Sequence, residues 1–196
     1  MKRRLFLIVS AVAAAIVAVP LLAKVAVDQA APEFTLQDST GKARSLSEFK
    51  GKTVVLEWNN PECPFVMKHY QSGNIPKQQA DATAAGVVWL TIGSGHTATA
   101  ENAKQNKLQG GKGSAYLLDT DGAVGKLYGA RTTPHIFVID AQGMVRYMGG
   151  IDSIPSAETS DLAKATQFVP QTLAALATDK LVGTKSSQPY GCSVKY

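Results

Sequence analysis

The most constraining feature of this 196-residue chain is an apolar strand that leads directly into a cysteine. Residues 53–58 are β-branched, aliphatic or aromatic apart from Glu57, and they show little alternation, which is typical of a strand covered on both faces. A polar loop at 59–62 follows. Cys63 then precedes Pro64, a residue type favoured in the first turn of a helix. The order of strand, loop, cysteine and helix predicts that Cys63 lies at a helix N-terminus.

This position indicates a reactive thiol. Unpaired backbone N–H groups and the positive end of a helix dipole both favour the thiolate form of a cysteine. A free thiol titrates near ~8.5, and such surroundings lower that value by one to several units. We therefore interpret Cys63 as a nucleophile, with a buried and inert structural cysteine as the alternative.

Other apolar runs predict the remaining elements of one α/β domain. An opening hairpin is expected around 34–41, a capping box from Ser45 to Glu48 predicts one helical turn, and further strands are predicted at 87–92, 115–118, 135–140 and 145–148. Helices are predicted from Cys63 or Pro64 onward, at 99–107, through Leu127, and over 160–181, where Pro170 introduces a kink or divides the helix. Strands that alternate with helices predict an α/β sandwich with a mixed central sheet.

The N-terminus has the basic, apolar and small-residue order of a secretory signal over residues 1–23. Residues 5–23 are nearly long enough to cross a bilayer, so an uncleaved anchor that tethers the protein to the membrane is the alternative to cleavage after Ala23. Both alternatives predict an exported protein, periplasmic or otherwise extracytoplasmic.

The charge of the chain argues against nucleic acid as a partner. The formal net charge of +5 falls to about +2 without Lys2, Arg3 and Arg4 of the leader. The remaining basic residues are scattered along the chain instead of forming a stripe, which is typical of ordinary solvated surface.

The chain contains two cysteines, Cys63 and Cys192, and an even number in an exported chain makes pairing a serious alternative to free thiols. Cys192 lies in a C-terminal segment, 183–196, that is rich in small and polar residues and is predicted to form an extended arm.

Several motifs resemble one superfamily. Residues 58–66, WNNPECPFV, resemble a thioredoxin active-site segment, and residues 131–135, RTTPH, resemble the thioredoxin cis-proline loop. The opening part, 31–52, is similar to peroxiredoxins of the alkyl hydroperoxide reductase and thiol-specific antioxidant type, and the GCSVKY ending resembles the tail of the peroxiredoxin-like redoxin group. The resemblance implies a thioredoxin-like three-layer sandwich over 31–182, with an N-terminal hairpin and a C-terminal tail at 183–196.

The resemblance also implies roles for particular residues. Glu57 matches the buried acid beneath the thioredoxin cysteine, where burial raises a carboxyl pKa toward a proton-transfer role; the alternative is an edge position that faces water. Pro64, Thr133 and a cis Pro134 would contact the substrate, with the Thr133 backbone pairing with an extended segment. No cofactor and no metal are implied for this activity.

Two departures from the family patterns affect the predicted chemistry. Val66 takes the place of the second thioredoxin cysteine, so Cys192 is the candidate resolving thiol. Asn60 and Leu56 take the hydroxyl and proline positions of the peroxiredoxin motif. We therefore expect a thiol oxidoreductase in which Cys63 attacks a protein disulfide or, second in rank, a small peroxide, and an external thiol reductant resets the pair.

Two other functions remain as alternatives. Cys63, Met67 and either His69 or His135 offer ligand types that suit copper, as in some thioredoxin-fold copper chaperones, although Met67 stands where those proteins have a second cysteine. A non-catalytic domain with a fixed Cys63–Cys192 disulfide is the other alternative, since such a bond would close a long loop and stabilise the fold.

Overall fold

The computed structural model describes residues 25–196, so the predicted leader lies outside the described residues. The strands are β1 (Thr35–Asp38), β2 (Ala43–Ser45), β3 (Val54–Trp58), β4 (Val88–Ser94), β5 (Ala115–Asp119), β6 (Thr132–Thr133), β7 (His135–Ile139), β8 (Val145–Gly149) and β9 (Cys192–Ser193). The α-helices are α1 (Pro64–Gln71), α2 (Asn74–Ala84), α3 (Ala100–Leu108), α4 (Ala123–Tyr128) and α5 (Phe168–Ala177). Short 3-10 turns lie at Leu46–Phe49, Gly95–Thr97 and Thr159–Ala163.

Seven of the strands form one sheet in the order β2-β1-β5-β4-β3-β7-β8. Strands β3, β4 and β5 are parallel, whereas β1 and β7 pair antiparallel with the outer parallel strands β5 and β3. The predicted mixed sheet is therefore confirmed, with the strand before Cys63 at its interior. Strands β6 and β9 form a separate two-stranded sheet.

Strand β3 divides the core because its side chains alternate between two apolar layers. Val54, Leu56 and Trp58 belong to the layer that also contains Val124 and Tyr128 of α4. Side chains on the opposite face pack under helices α1, α2 and α5, represented in the second core by Val55, Val66, Ile75 and Val169. The result is the predicted three-layer arrangement of helices, sheet and helix.

The predicted capping box at the start of the domain is wrong. Ser45 makes no side-chain capping hydrogen bond. The Glu48 carboxylate instead accepts a hydrogen bond from the Arg44 side chain at 3.0 Å. The turn that follows is a single 3-10 turn, Leu46–Phe49, anchored by the burial of its two apolar residues.

The helix predicted over 160–181 is divided in two, but not at Pro170. A 3-10 turn at Thr159–Ala163 is separated from α5 by residues 164–167, where Gln167 forms an isolated antiparallel bridge with Asp152. Pro170 lies in the first turn of α5, where its missing N–H would have no intrahelical partner in any case. The separate helix α2, which follows Gly73 in the left-handed region, was not predicted.

The C-terminal segment runs along the body of the domain. Ser186 forms a parallel bridge with Met148, and β9 pairs with β6. Among residues 25–196, no helix combines the length and the apolar character that crossing a membrane requires.

Candidate active site

Cys63 lies where the sequence predicts it, at the N-cap of helix α1, and its relative exposure is 1 %. Asn60 closes the preceding loop, because its carbonyl oxygen accepts from the Cys63 N–H at 3.0 Å and its side-chain oxygen accepts from the Glu62 N–H at 3.1 Å. The first helical hydrogen bond runs from the Met67 N–H to the Cys63 carbonyl. The loop and the helix start together hold the sulfur at the carboxyl end of β3.

The C-terminal tail brings Cys192 to the same place. Cys192 pairs antiparallel with Thr133, and the Thr133–Pro134 peptide bond is cis. The two sulfurs lie 2.7 Å apart, and both cysteines are free. Gly191 permits this approach, since its φ is +127° and a Cβ there would lie 2.0 Å from the Thr133 carbonyl oxygen. The fold thus places the side chains of two cysteines that are far apart in the sequence next to each other.

The two thiols differ in acidity. Burial raises the pKa of Cys63, but hydrogen bonds with Cys192 and Thr133 and with the backbone N–H groups of Val66 and Cys192 outweigh it, so the net pKa is lowered. For Cys192, burial and then the hydrogen bond and negative charge of Cys63 raise the pKa to about 11. Cys63 is therefore the better thiolate and the better leaving group of the pair.

The predicted substrate contacts occupy different environments. Pro64 is exposed at the first position of α1. The backbone of Thr133, predicted to pair with a substrate segment, already pairs with the tail, and the Thr133 hydroxyl donates to the Cys192 carbonyl at 3.4 Å. An extended polypeptide reaches this strand edge only after β9 has left it.

Glu57 is fully buried on the central strand β3, so the alternative of a water-facing edge position is wrong. Its carboxylate accepts hydrogen bonds from four neutral donors in the described part of the chain: Asn59 Nδ2, the Tyr70 hydroxyl, Gln79 Nε2 and Trp89 Nε1, at 2.7–3.1 Å. Burial raises the pKa of Glu57, and these four hydrogen bonds only partly oppose the shift. No hydrogen bond within residues 25–196 links Glu57 to either cysteine.

The two histidines considered as copper ligands have other partners. His69 Nε2 lies 3.1 Å from the Tyr190 hydroxyl, and His135 Nδ1 accepts from the Arg131 N–H at 3.2 Å. Within the described part of the chain, no three His, Cys, Asp or Glu side chains are grouped in a way that could hold a metal ion. The geometry therefore lends no support to the copper hypothesis.

A buried polar cluster lies beside the cysteines and was not predicted from the sequence. We call it the Asp152 cluster, and it consists of Lys68, His69, Asp152 and Tyr190. The Tyr190 hydroxyl donates to Asp152 Oδ1 at 2.5 Å, and Lys68 Nζ lies 3.6 Å from Asp152 Oδ2. Lys68 and His69 belong to α1, whereas Tyr190 belongs to the tail. The only sequence signal was the proximity of Tyr190 to Cys192, since no local pattern connects residues so far apart.

Comparison with solved structures identifies the same fold elsewhere. The chain is similar to a hypothetical protein from Sinorhizobium meliloti, with a TM-score of 0.72, 25 % identity, and coverage of 89 % of this chain and 96 % of that chain. An uncharacterised conserved protein from Geobacillus kaustophilus gives a TM-score of 0.72 and 25 % identity, with 87 % and 92 % coverage. A putative protein disulfide isomerase from Bacteroides thetaiotaomicron shares the fold at a TM-score of 0.59 and 18 % identity, with 78 % and 91 % coverage.

Comparison of the sequence identifies a family but no individual relative among curated proteins. No curated protein matches the chain significantly. Residues 27–148, which include β1 to β7 and most of β8, match the AhpC/TSA family. This region contains Cys63 and the cis-proline loop but not Cys192, so the resolving-cysteine prediction rests on the tail of this chain alone. On the extent of that match, and as the resemblance in the sequence implied, the chain belongs to the AhpC/TSA family of thioredoxin-fold proteins.

Proposed function

We propose that the protein is an exported thiol-disulfide oxidoreductase whose redox centre is the Cys63–Cys192 couple. The observation that carries this proposal is the contact between the two sulfurs at 2.7 Å, produced by the pairing of the tail with Thr133. A fixed structural staple would require no difference between the thiols. Here the lowered pKa of Cys63 and the raised pKa of Cys192 favour separate chemical roles.

In the oxidising half-reaction, the Cys63 thiolate attacks one sulfur of a substrate disulfide. A mixed disulfide forms and one substrate thiolate leaves. The Cys192 thiol then loses its proton and attacks the Cys63 sulfur, which releases the second substrate thiolate and leaves the Cys63–Cys192 disulfide. Two electrons pass from the cysteine pair to the substrate disulfide.

In the reducing half-reaction, an external thiolate attacks the sulfur of Cys192. Access favours this direction, because Cys63 is buried whereas Cys192 is partly exposed. Leaving-group acidity favours the same direction, since attack at Cys192 expels the thiolate of lower pKa, Cys63. A second external thiol then releases Cys192 and restores the reduced pair.

Peroxide reduction is a second candidate function, favoured by the tail that fills the Thr133 strand edge. A peroxide needs no strand edge, so it would require a smaller displacement of the tail than an extended polypeptide. Here the Cys63 thiolate would take the distal oxygen and release an alcohol after protonation. Cys192 would then displace water from the sulfenic acid to form the same disulfide.

We assign Glu57 an indirect part in proton transfer. Asn59, in the loop between Glu57 and Cys63, donates a hydrogen bond from Nδ2 to the Glu57 carboxylate at 2.9 Å. Through this hydrogen bond, a change in the charge of Glu57 would reach the loop that carries Cys63. The raised pKa of Glu57 suits a group that gains and loses a proton during exchange.

The proposal includes the arrangement of the whole chain. The segment 1–23 is proposed to direct export and then to be removed or kept as an anchor. Residues 31–182 form the redoxin domain in this view, and residues 183–196 supply the resolving thiol. Pro64, Thr133 and Pro134 contact the substrate once the tail has moved.

The reduction potential of the cysteine pair tests this function. The mature protein is equilibrated across a dithiol buffer series, trapped by alkylation and analysed by mass spectrometry. We expect a reversible couple above about −300 mV, the range of exchange-active disulfides, whereas a structural staple lies below it. Cys192→Ser should accumulate a mixed disulfide at Cys63 with a small aromatic disulfide, and the matched Cys63→Ser variant should not. An irreducible bond, or the reverse pattern in the two variants, contradicts the proposal.

A further inference from the structure

We infer that Tyr190 is a positioning residue that sets the register of Cys192 against Cys63. The inference rests on the proposed function, because it concerns how the two cysteines of that couple meet. Tyr190 precedes Cys192 by two residues and is buried, and within residues 25–196 its hydroxyl bonds to His69 and Asp152 and not to either sulfur. Its hydroxyl and ring instead connect the tail to the helix that begins after Cys63.

The hydrogen bonds of the Tyr190 hydroxyl run in one direction. The hydroxyl donates to Asp152 Oδ1, so its oxygen accepts from His69 Nε2–H at 3.1 Å. His69 Nδ1 in turn accepts from the Asn74 side-chain amide at 2.8 Å. The donor and the acceptor of each of these hydrogen bonds are therefore fixed, which requires a neutral His69. The tyrosine hydroxyl is left with a single well-defined position.

The ring of Tyr190 is held as well. Lys68 Nζ lies 5.8 Å from its centroid, and the Phe65 ring packs edge-on at 5.9 Å. Lys68 also donates to the Ser156 carbonyl at 3.1 Å. Three side chains of helix α1, namely those of Phe65, Lys68 and His69, thus contact one tail residue.

The desolvation cost of the buried ion pair in the Asp152 cluster argues that the cluster fixes the position of Tyr190 more than it adds stability. Within residues 25–196, Lys68 with Asp152 is the only Lys–carboxylate pair whose two side chains are both fully buried. Removing two charges from water is expensive, and buried pairs are often no more stabilising than apolar residues of similar volume. Directional bonds offer what an apolar contact does not, since they fix where Tyr190 sits along the chain direction.

The tail needs such a reference because its own pairing is short. Strand β9 makes two register pairs, Thr132 with Ser193 and Thr133 with Cys192. A slip of one residue would turn the Cys192 side chain to the other side of the strand. Gly191 gives the clearance for close approach but no directional contact. After β9 the tail is held by the Val194 N–H, which donates to the Arg131 carbonyl at 3.0 Å, and by the Tyr196 hydroxyl, which donates to the Ala130 carbonyl at 2.6 Å. Tyr190 supplies the fixed point before β9, through contacts with the helix whose N-terminus holds Cys63.

The substitution Tyr190→Phe tests the inference, because it removes the hydroxyl and keeps the ring packed on Phe65. We expect the effective concentration of Cys192 at Cys63 to fall about tenfold, which makes the couple about 30 mV less negative. Disulfide formation after oxidation of Cys63 should slow by a similar factor. The first step, measured in a Cys192→Ser background as release of a coloured thiolate from an aromatic disulfide, should be unchanged.

Tyr128→Phe is the matched control. Its buried hydroxyl donates to the Pro32 carbonyl at 2.6 Å, on the opposite face of the sheet, so the substitution removes one buried hydrogen bond of similar kind. Thermal unfolding should respond to both substitutions, whereas the potential should respond to Tyr190→Phe alone.

The outcomes separate this inference from the function on which it rests. A reversible wild-type couple with the same potential in Tyr190→Phe and Tyr128→Phe overturns the role of Tyr190 and leaves the proposed function standing. A slowed first step in the Cys192→Ser background also overturns it, because the hydroxyl would then act on Cys63 itself. A wild-type protein without a reversible couple overturns both.

Discussion

Two buried carboxylates contact helix α1, and the structure holds them in different ways. Glu57 on β3 accepts from the Tyr70 hydroxyl of α1 and from three other neutral donors. Asp152, after β8, faces the ammonium group of Lys68 on the same helix and binds the tail through Tyr190. Within residues 25–196, Glu57 therefore forms no ion pair, whereas Asp152 is half of a buried one.

The difference shows how burial can serve two purposes. Without a cation nearby, burial penalises the charged form of Glu57 and raises its pKa, which suits a group that exchanges a proton. Asp152 and the ammonium group of Lys68 depend on each other, because removing either one would leave the other as an unpaired buried charge. We therefore assign Glu57 a role in proton exchange and Asp152 a role in holding the tail in position.

The largest expected effect compares isosteric amides at the two sites. Asp152→Asn leaves the Lys68 charge without its partner and should lower the free energy of unfolding by about 3–5 kcal/mol. Glu57→Gln strands no charge, and its cost should stay near the ~1–3 kcal/mol of a mismatched buried hydrogen bond. Urea unfolding at neutral pH measures both.

A double variant controls for the ion pair itself. Lys68→Met combined with Asp152→Asn removes both charges, so it should recover most of the stability that Asp152→Asn loses. Equal losses for the two amide variants, or no recovery in the double variant, would break the comparison between a proton-exchanging and an ion-paired carboxylate.

The elements that sequence analysis identified are those set by local patterns. The apolar run before Cys63 coincides with β3 to within one residue, and Pro64 does begin α1. The strands predicted at 135–140 and 145–148 correspond to β7 and β8. Hydrophobic runs and turn residues are enough for such elements, because the physical cause lies within a few residues of its effect.

The Asp152 cluster escaped prediction because its cause is not local. A lysine such as Lys68 in α1 would ordinarily be expected to face solvent. It is buried instead, because residues after β8 and in the tail supply its partners. The helix predicted over 160–181 failed for a related reason: Gln167 is extended by its bridge to Asp152. Long-range partners decided both outcomes.

A smaller effect concerns the acid sensitivity of the Asp152 cluster. Burial lowers the pKa of His69 to about 4, while Asp152 opposes and Lys68 adds to the shift. An unfolded histidine takes up a proton near ~6.5, whereas folded His69 stays neutral until about pH 4, so stability falls as the pH falls through this window. Between pH 7 and pH 5 the loss from His69 should be about 2 kcal/mol.

The difference between wild type and His69→Gln isolates this contribution. His135, whose pKa burial lowers to about 3, adds a loss of the same sign that is common to both proteins. Unfolding free energies at several pH values should therefore show a shallower acid slope in His69→Gln. Parallel slopes would mean that folded His69 takes up its proton at the same pH as an unfolded histidine. A neutral His69 could then not be part of the hydrogen-bonded chain that fixes Tyr190.

The smallest expected effect sharpens the chemical half of the comparison. No hydrogen bond among residues 25–196 joins Glu57 to either sulfur, so its influence on exchange is indirect. Glu57→Gln should therefore slow formation of the Cys63–Cys192 disulfide about fivefold, or ~1 kcal/mol in the barrier. Stopped-flow measurement across pH should also show that one ionisation above the ordinary carboxyl range disappears. A loss beyond about a hundredfold would indicate direct general-base catalysis. An unchanged rate and pH profile would leave Glu57 as a packing residue, and both carboxylates beside α1 would then serve structure alone.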